Sequence, residues 1–142
     1  MDIRDILCNK DTKASYQLFL RIEQQAGEDP ALFLEYPLYL EMLGSKNSYQ
    51  RVRGFRMLCA VAKWDEAGVM QRHLPVILAQ LLDEKPTAVR QCLAALPKLV
   101  SGRPELTAQV CENVSKLDLS GYKDSMRPLI RKDVQAFLNQ YR

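Results

Sequence analysis

The sequence predicts an all-α chain built from repeated helix pairs, about seven helices within one domain. Two observations predict it. Apolar residues recur at helical spacing along nearly the whole chain, and no stretch alternates apolar and polar residues with β-branched enrichment. An apolar residue followed by arginine also returns at a fixed period of 37, as Val52-Arg53, Val89-Arg90 and Met126-Arg127. A period of that size marks stacked units, none of which can bury its apolar face alone.

Each element has its own local signals. The first predicted helix, over 12–26, has Leu18, Phe19 and Ile22 on its apolar face, and Gly27 suits a left-handed C-terminal cap. The second, over 30–43, has Asp29 as N-cap, Pro30 at the first helical position and Gly44 as its stop. Its Tyr36 and Tyr39 are expected against the first helix. The third, over 48–63, has the stripe Val52, Phe55, Cys59 and Ala62. The fourth, over 66–82, starts from Asp65 as N-cap. The fifth, over 86–100, buries Val89, Cys92, Leu93, Leu96 and Val100 and stops near Gly102. The sixth covers 104–117. The seventh, over 124–140, has Met126, Leu129, Ile130, Val134, Phe137 and Leu138 as its apolar set, with Pro128 tolerated in the first turn. The short connections favour antiparallel neighbours.

The chain of 142 residues, 47% hydrophobic and 26% charged, is long enough to bury a core. A net charge of +3 does not by itself point to nucleic acid or to a membrane surface. No apolar run approaches the roughly 20 residues of a membrane helix. The first eleven residues mix both charges and lack the apolar segment of a signal peptide, so a cytoplasmic location without membrane contact is expected. Cys8, Cys59, Cys92 and Cys111 form no CxxC pair, and with the lone His73 they make no zinc cluster. They are expected as reduced thiols.

In register, the units run over 28–63, 65–101 and 103–142, with 1–27 as a degenerate capping unit. Leu18 falls under Phe55 and Ile22 under Cys59, while Tyr16 takes the place of the arginine. The alternate helices repeat as well, through Pro37 and Pro75. A helix with proline, an aspartate eight residues on, and Val-Arg opening a second helix resembles a HEAT repeat of the armadillo-like class. Pro75, Asp83 and Val89-Arg90 match that pattern with one extra residue in the turn. The unit before it keeps Pro37 and Val52-Arg53 but has Ser45 in the aspartate's place. The unit after it keeps only Met126-Arg127, with Glu112 near the proline's place. The resemblance covers about residues 30–142. It implies a short right-handed α-solenoid whose Val-Arg helices line the concave face.

Arg53, Arg90 and Arg127 sit in register in the first turns of their helices. An acid in the preceding loop, such as Asp83 or Glu84, is within reach. These residues are expected to form a structural ladder joining one unit to the next.

There is no Gly-rich phosphate loop, GxSxG or HExxH motif, so no catalytic, cofactor or metal residues are expected. The charge distribution is more informative. Segment 46–65 carries Lys46, Arg51, Arg53, Arg56 and Lys63 against Asp65, a net +4; segment 85–103 is also +4, and 122–142 is +3. The intervening segments oppose them, with 28–43 at −4 and 66–84 and 104–121 at −2 each. The bases would suit a partner-binding face or a solvated helix face. As a binding face, the candidate contacts are Arg51, Arg56, Lys63, Trp64, Lys98, Arg131 and Lys132. Trp64 would equally serve as a packing plug.

The first functional expectation is a non-catalytic scaffold that binds an acidic segment of a partner protein. The alternative is nucleic-acid binding. DNA alkylation repair proteins are similar in being built from HEAT-like helix pairs with a basic concave groove. This chain is too short for their full array, and no position matches their catalytic acid. A third possibility is an accessory subunit without a groove ligand.

Overall fold

Helical periodicity governs the structure, and proline and glycine set where it breaks. The computed structural model describes residues 2–142, and among these residues there are nine α-helices and no strand. They are α1 (Ile3–Leu7), α2 (Lys13–Ala26), α3 (Tyr36–Met42), α4 (Ser48–Val61), α5 (Val69–Arg72), α6 (Leu74–Leu78), α7 (Pro86–Gly102), α8 (Thr107–Ser115) and α9 (Arg127–Tyr141). Short 3-10 turns cover Pro30–Glu35, Ala62–Trp64, Ala79–Leu82 and Pro104–Leu106. Among the described residues no helix is long and apolar enough to cross a membrane.

Several boundaries correct the sequence expectation of about seven helices. Helix α1 is added at the start, capped by the Asp2 side chain accepting from the Arg4 N–H. The helix expected over 30–43 is a 3-10 turn that becomes α3 only at Tyr36. The one expected over 66–82 is three short pieces. Gly68 adopts φ 77°, a left-handed conformation open to glycine, and Pro75 lies in the first turn of α6 and brings no N–H. Asp65 is a cap of the expected kind, but it serves a later start: its carboxylate accepts from the N–H groups of Val69 and Met70 at 2.9 and 2.7 Å. Gly27 is right-handed, with φ −76°, so its expected left-handed cap is absent. Tyr36 stacks on Phe33 and Tyr39 donates to the Leu32 carbonyl, which ties both to the 30–35 segment.

The core is organised around α4. From Val52 to Ala62 every residue is buried except Arg56, which is half-buried. Helix α4 touches α1, α2, α3 and α7, and its contact with α7 is the most extensive between helices. Helix α7 in turn meets α9, so α2, α4, α7 and α9 lie side by side in chain order. Helix α3 backs α4, the 79–82 turn backs α7 and α8 backs α9. Phe55, Leu58, Leu96 and Leu99 are fully buried here. Each such side chain contributes about 1.5–3 kcal/mol over its exposed state. On α9, Ile130, Phe137 and Leu138 are buried, but Leu129 is 39% exposed and is not part of the core as expected.

Two glycines permit the closest approaches. A Cβ at Gly54 would lie 2.7 Å from the Tyr39 carbonyl oxygen and 2.8 Å from Met42 Cβ, so α3 sits directly on bare α4 backbone. A Cβ at Gly102 would lie 2.7 Å from the Lys63 nitrogen, which seats the end of α7 on the segment following α4. Gly54→Ala should therefore push α3 away and lower stability by about 1–3 kcal/mol. Gly121→Ala, with open space around it, should change stability by less than about 0.5 kcal/mol. Urea unfolding of the two variants checks the contrast.

Candidate functional site

The row α2, α4, α7 and α9 carries a continuous groove. A cavity of about 390 Å³ lies between α7 and α9, lined by Leu93, Ala94, Pro97, Ala136 and Phe137 among others. Two cavities of about 300 Å³ each lie among α2, α4 and α7 and share Tyr16, Arg56 and Gln91. A fourth, of about 520 Å³, sits at the helix ends, lined by Glu28, Cys59, Lys63, Lys98 and Gly102 among others. Shared walls join them: Gln91 lines the first three, Ala94 the first and third, and Lys98 the third and fourth. Gln91, Ala94 and Lys98 are spaced i, i+3 and i+7, so one exposed face of α7 forms the floor. A further cavity of about 560 Å³ lies off the groove, between the 114–124 segment and α9, and takes in Arg131.

The repeated arginines do not form the expected uniform ladder. Asp83 and Glu84 serve Arg51, not Arg90. Arg51 Nε and Nη2 donate to the two Asp83 oxygens at 2.7 and 3.0 Å, and Glu84 lies 3.7 Å away. The reason is placement: the 79–82 turn delivers Asp83 beside the start of α4, one unit back. Tyr122 Oη also donates to the Asp83 carbonyl at 2.7 Å. Arg53 is 2% exposed. Its Nη1 donates to Ser15 Oγ at 2.9 Å and to the Leu7 carbonyl at 3.2 Å, and Nη2 reaches Asp11 at 3.4 Å. Its guanidinium lies 5.5 and 5.1 Å from the Phe19 and Tyr49 ring centres. Burial lowers its pKa, against the pull of Asp11. Arg90 instead reaches forward to Asp133 at 2.7 Å, and Arg127 pairs with Asp124 in the turn that precedes α9.

Three of the seven candidate contact residues, Arg51, Arg56 and Trp64, are engaged within the chain. Arg56 binds Glu23 in a bidentate pair at 2.7 and 2.8 Å, donates to Tyr16 Oη and stacks on Phe19. Trp64 is half-buried, and its Nε1 donates to the Ala26 carbonyl at 2.8 Å, so it closes the C-terminal end of α2. Arg103 does the same for α4, donating to the carbonyls of Ala62 and Lys63 at 2.7 and 2.8 Å. Each thus satisfies carbonyls that a helix end leaves without intrahelical partners. Lys63 and Lys98 are exposed in the groove, and none of the ion pairs among the described residues includes them. Arg131 and Lys132 are exposed on α9, away from the groove floor.

Sequence reasoning named Lys98 on the floor but missed Gln91 and Ala94 beside it. Nothing but their place beside the apolar stripe distinguishes them. It also missed Tyr16, Glu23 and Tyr49, for which no local pattern exists. Among the described residues no group of three or more His, Cys, Asp or Glu side chains could hold a metal ion. Burial drives the Cys92 thiol up to about 12 and the Cys59 thiol well above its ordinary range. No protein-family model matches the chain, and no curated protein or solved structure matches it.

Two outcomes follow from these contacts. Burial alone would raise the Asp83 carboxyl, but the Arg51 hydrogen bonds, the Lys85 N–H and the nearby cations hold it below its ordinary value. A depressed folded-state pKa gives stability that is present above the unfolded value of about 4 and lost as pH falls through the folded value. Asp83→Asn should therefore cost about 3 kcal/mol at neutral pH, with the gap to wild type narrowing as pH drops below about 4. Urea unfolding across that range tests this. Arg53→Ala should lower the melting temperature more than Arg90→Ala, because Arg53 is fully enclosed and Arg90 is not. Thermal denaturation of the two variants ranks them.

Proposed function

We propose that the chain is a short right-handed HEAT-like α-solenoid, cytoplasmic and non-catalytic, that binds an acidic segment of a partner protein along the groove of α2, α4, α7 and α9. The observation that carries this reading is the continuity of the groove over a floor of Gln91, Ala94 and Lys98. Cavities of this size accept side chains, and their joining in a line suits an extended segment rather than one compact ligand. A row of stacked helices is the surface on which repeat proteins present extended binding faces.

The charge arrangement favours a peptide over a nucleic-acid backbone. Nucleic-acid affinity rests on unpaired cations that replace counterions along the phosphates. Here Arg51, Arg53, Arg56 and Arg90 are each bound by an acid of the chain, and two unpaired lysines remain at one end of the groove. A mixed surface with a local positive end discriminates among peptide sequences.

Panning a displayed library of random peptides on the intact chain tests the proposal. Wild type should enrich a set of sequences, and Ala94→Trp, which fills the middle of the groove, should not retain them while keeping its circular dichroism spectrum. Failure to enrich, or equal retention by the Ala94→Trp variant, removes the groove reading. Duplex DNA binding that persists at about 0.15 M salt would favour the nucleic-acid alternative.

A further inference from the structure

Two features of the groove bear on its ligand: a pair of lysines without acidic partners, of which Lys63 lies 5.0 Å from the Trp64 ring centre, and a proline within α7. The first is the pair Lys63 and Lys98. Gly102 rests on the Lys63 backbone, with a Cβ there only 2.7 Å from the Lys63 nitrogen. Lys98 lies four residues before Gly102 and so on the same face of α7. The two ammonium groups therefore emerge into one cavity of about 520 Å³ from adjacent helix ends. Glu23 also lines that cavity, but its carboxylate is held by Arg56. Glu28 is the one further acid on the lining, so positive charge is in excess.

The second feature is Pro97, inside α7. Proline has no N–H, so the Leu93 carbonyl lacks the donor that a helix would supply four residues on. Leu93 and Pro97 both line the cavity of about 390 Å³, whose other walls include Ala94, Ala136 and Phe137. That cavity therefore has an apolar lining, with Arg90, Gln91, Asp133 and Gln140 around it. The two features are centred about five residues apart along α7, roughly 7–8 Å at helical rise. An extended chain covers that distance in two or three residues.

We infer that the groove reads two side chains set two or three positions apart in one peptide segment: a carboxylate between Lys63 and Lys98, and an apolar group in the α7–α9 pocket. Tryptophan suits the second place best, because its ring covers the apolar lining and its indole N–H can meet an acceptor among Gln91, Asp133 and Gln140. The inference rests on the groove reading above and gives it a sequence code. The carboxylate contact is solvent-exposed, so it weakens with salt, while the apolar contact does not.

The peptides enriched on wild type decide it. Aspartate or glutamate should recur two or three positions from an apolar residue, with tryptophan favoured. On the double variant Lys63→Glu and Lys98→Glu, the selected peptides should lose affinity by about tenfold or more in fluorescence anisotropy, and a fresh selection should prefer lysine or arginine at that position. Peptides that enrich on wild type and are lost on Ala94→Trp, yet show no acid or bind the lysine variant unchanged, would overturn this inference while leaving the groove reading intact. Absence of enrichment on wild type would remove both.

Discussion

The rest of the structure depends on the enclosure of α4. A helix that is buried all round needs neighbours on every side, and α4 is buried from Val52 to Ala62 with Arg56 as its one partial opening. Helices α1, α2, α3 and α7 supply those neighbours. Gly54 and Gly102 mark where the fit is tightest, because each holds bare backbone against another segment. The groove follows from this enclosure. Where α2 and α7 flank α4, what remains visible between them is Arg56 and the polar face of α7.

Charge is distributed by the same logic. Arg51 pairs with Asp83, Arg53 with Asp11, Arg56 with Glu23 and Arg90 with Asp133, at sequence separations of 32, 42, 33 and 43 residues. Each separation is close to one repeat of the sequence. Of these four pairs only Arg51–Asp83 joins two of the opposite-signed segments; Asp11 and Glu23 come from the first 27 residues, and Asp133 from a segment that is itself basic. Buried or half-buried pairs of this kind add little net stability, but breaking one is costly because the remaining charge has no partner. They fix which helix lies beside which. Arg53 is the extreme case: with the Leu7 carbonyl, Ser15 and Asp11 as partners, it ties the first two helices to α4.

Much of this was legible in the residues. The stripes of the third and fifth predicted helices correspond to α4 and α7, and Val52 and Val89 are both buried there. The pairing partners were not legible, because periodicity says which way a side chain faces and not which distant acid meets it. Asp83 illustrates this: it precedes Arg90 by seven positions, yet the fold brings it to Arg51. Helix α1 spans five residues, too few to show a period. The segments 30–43 and 66–82 carried their breaks openly at Pro37, Gly68 and Pro75, but each of these signals is also compatible with a helix start. In the site, Lys98 was legible by its charge. Gln91 and Ala94 were not, since nothing but their place beside the core stripe distinguishes them.

Pro97 is where local preference and the observed structure disagree most clearly. An interior proline costs a helix about 3 kcal/mol, yet α7 runs through it from Pro86 to Gly102. The cost is tolerable because α7 has its extensive contact with α4 on one side and α9 on the other. That explains why the helix survives, but not why proline stands there. Alanine, as at the neighbouring Ala95, would keep the helix without that cost. Sequences that break a local rule with no stabilising return tend to do so at functional positions. Here Pro97 lies on the wall of the groove, next to Lys98, where the proposed ligand places its apolar group.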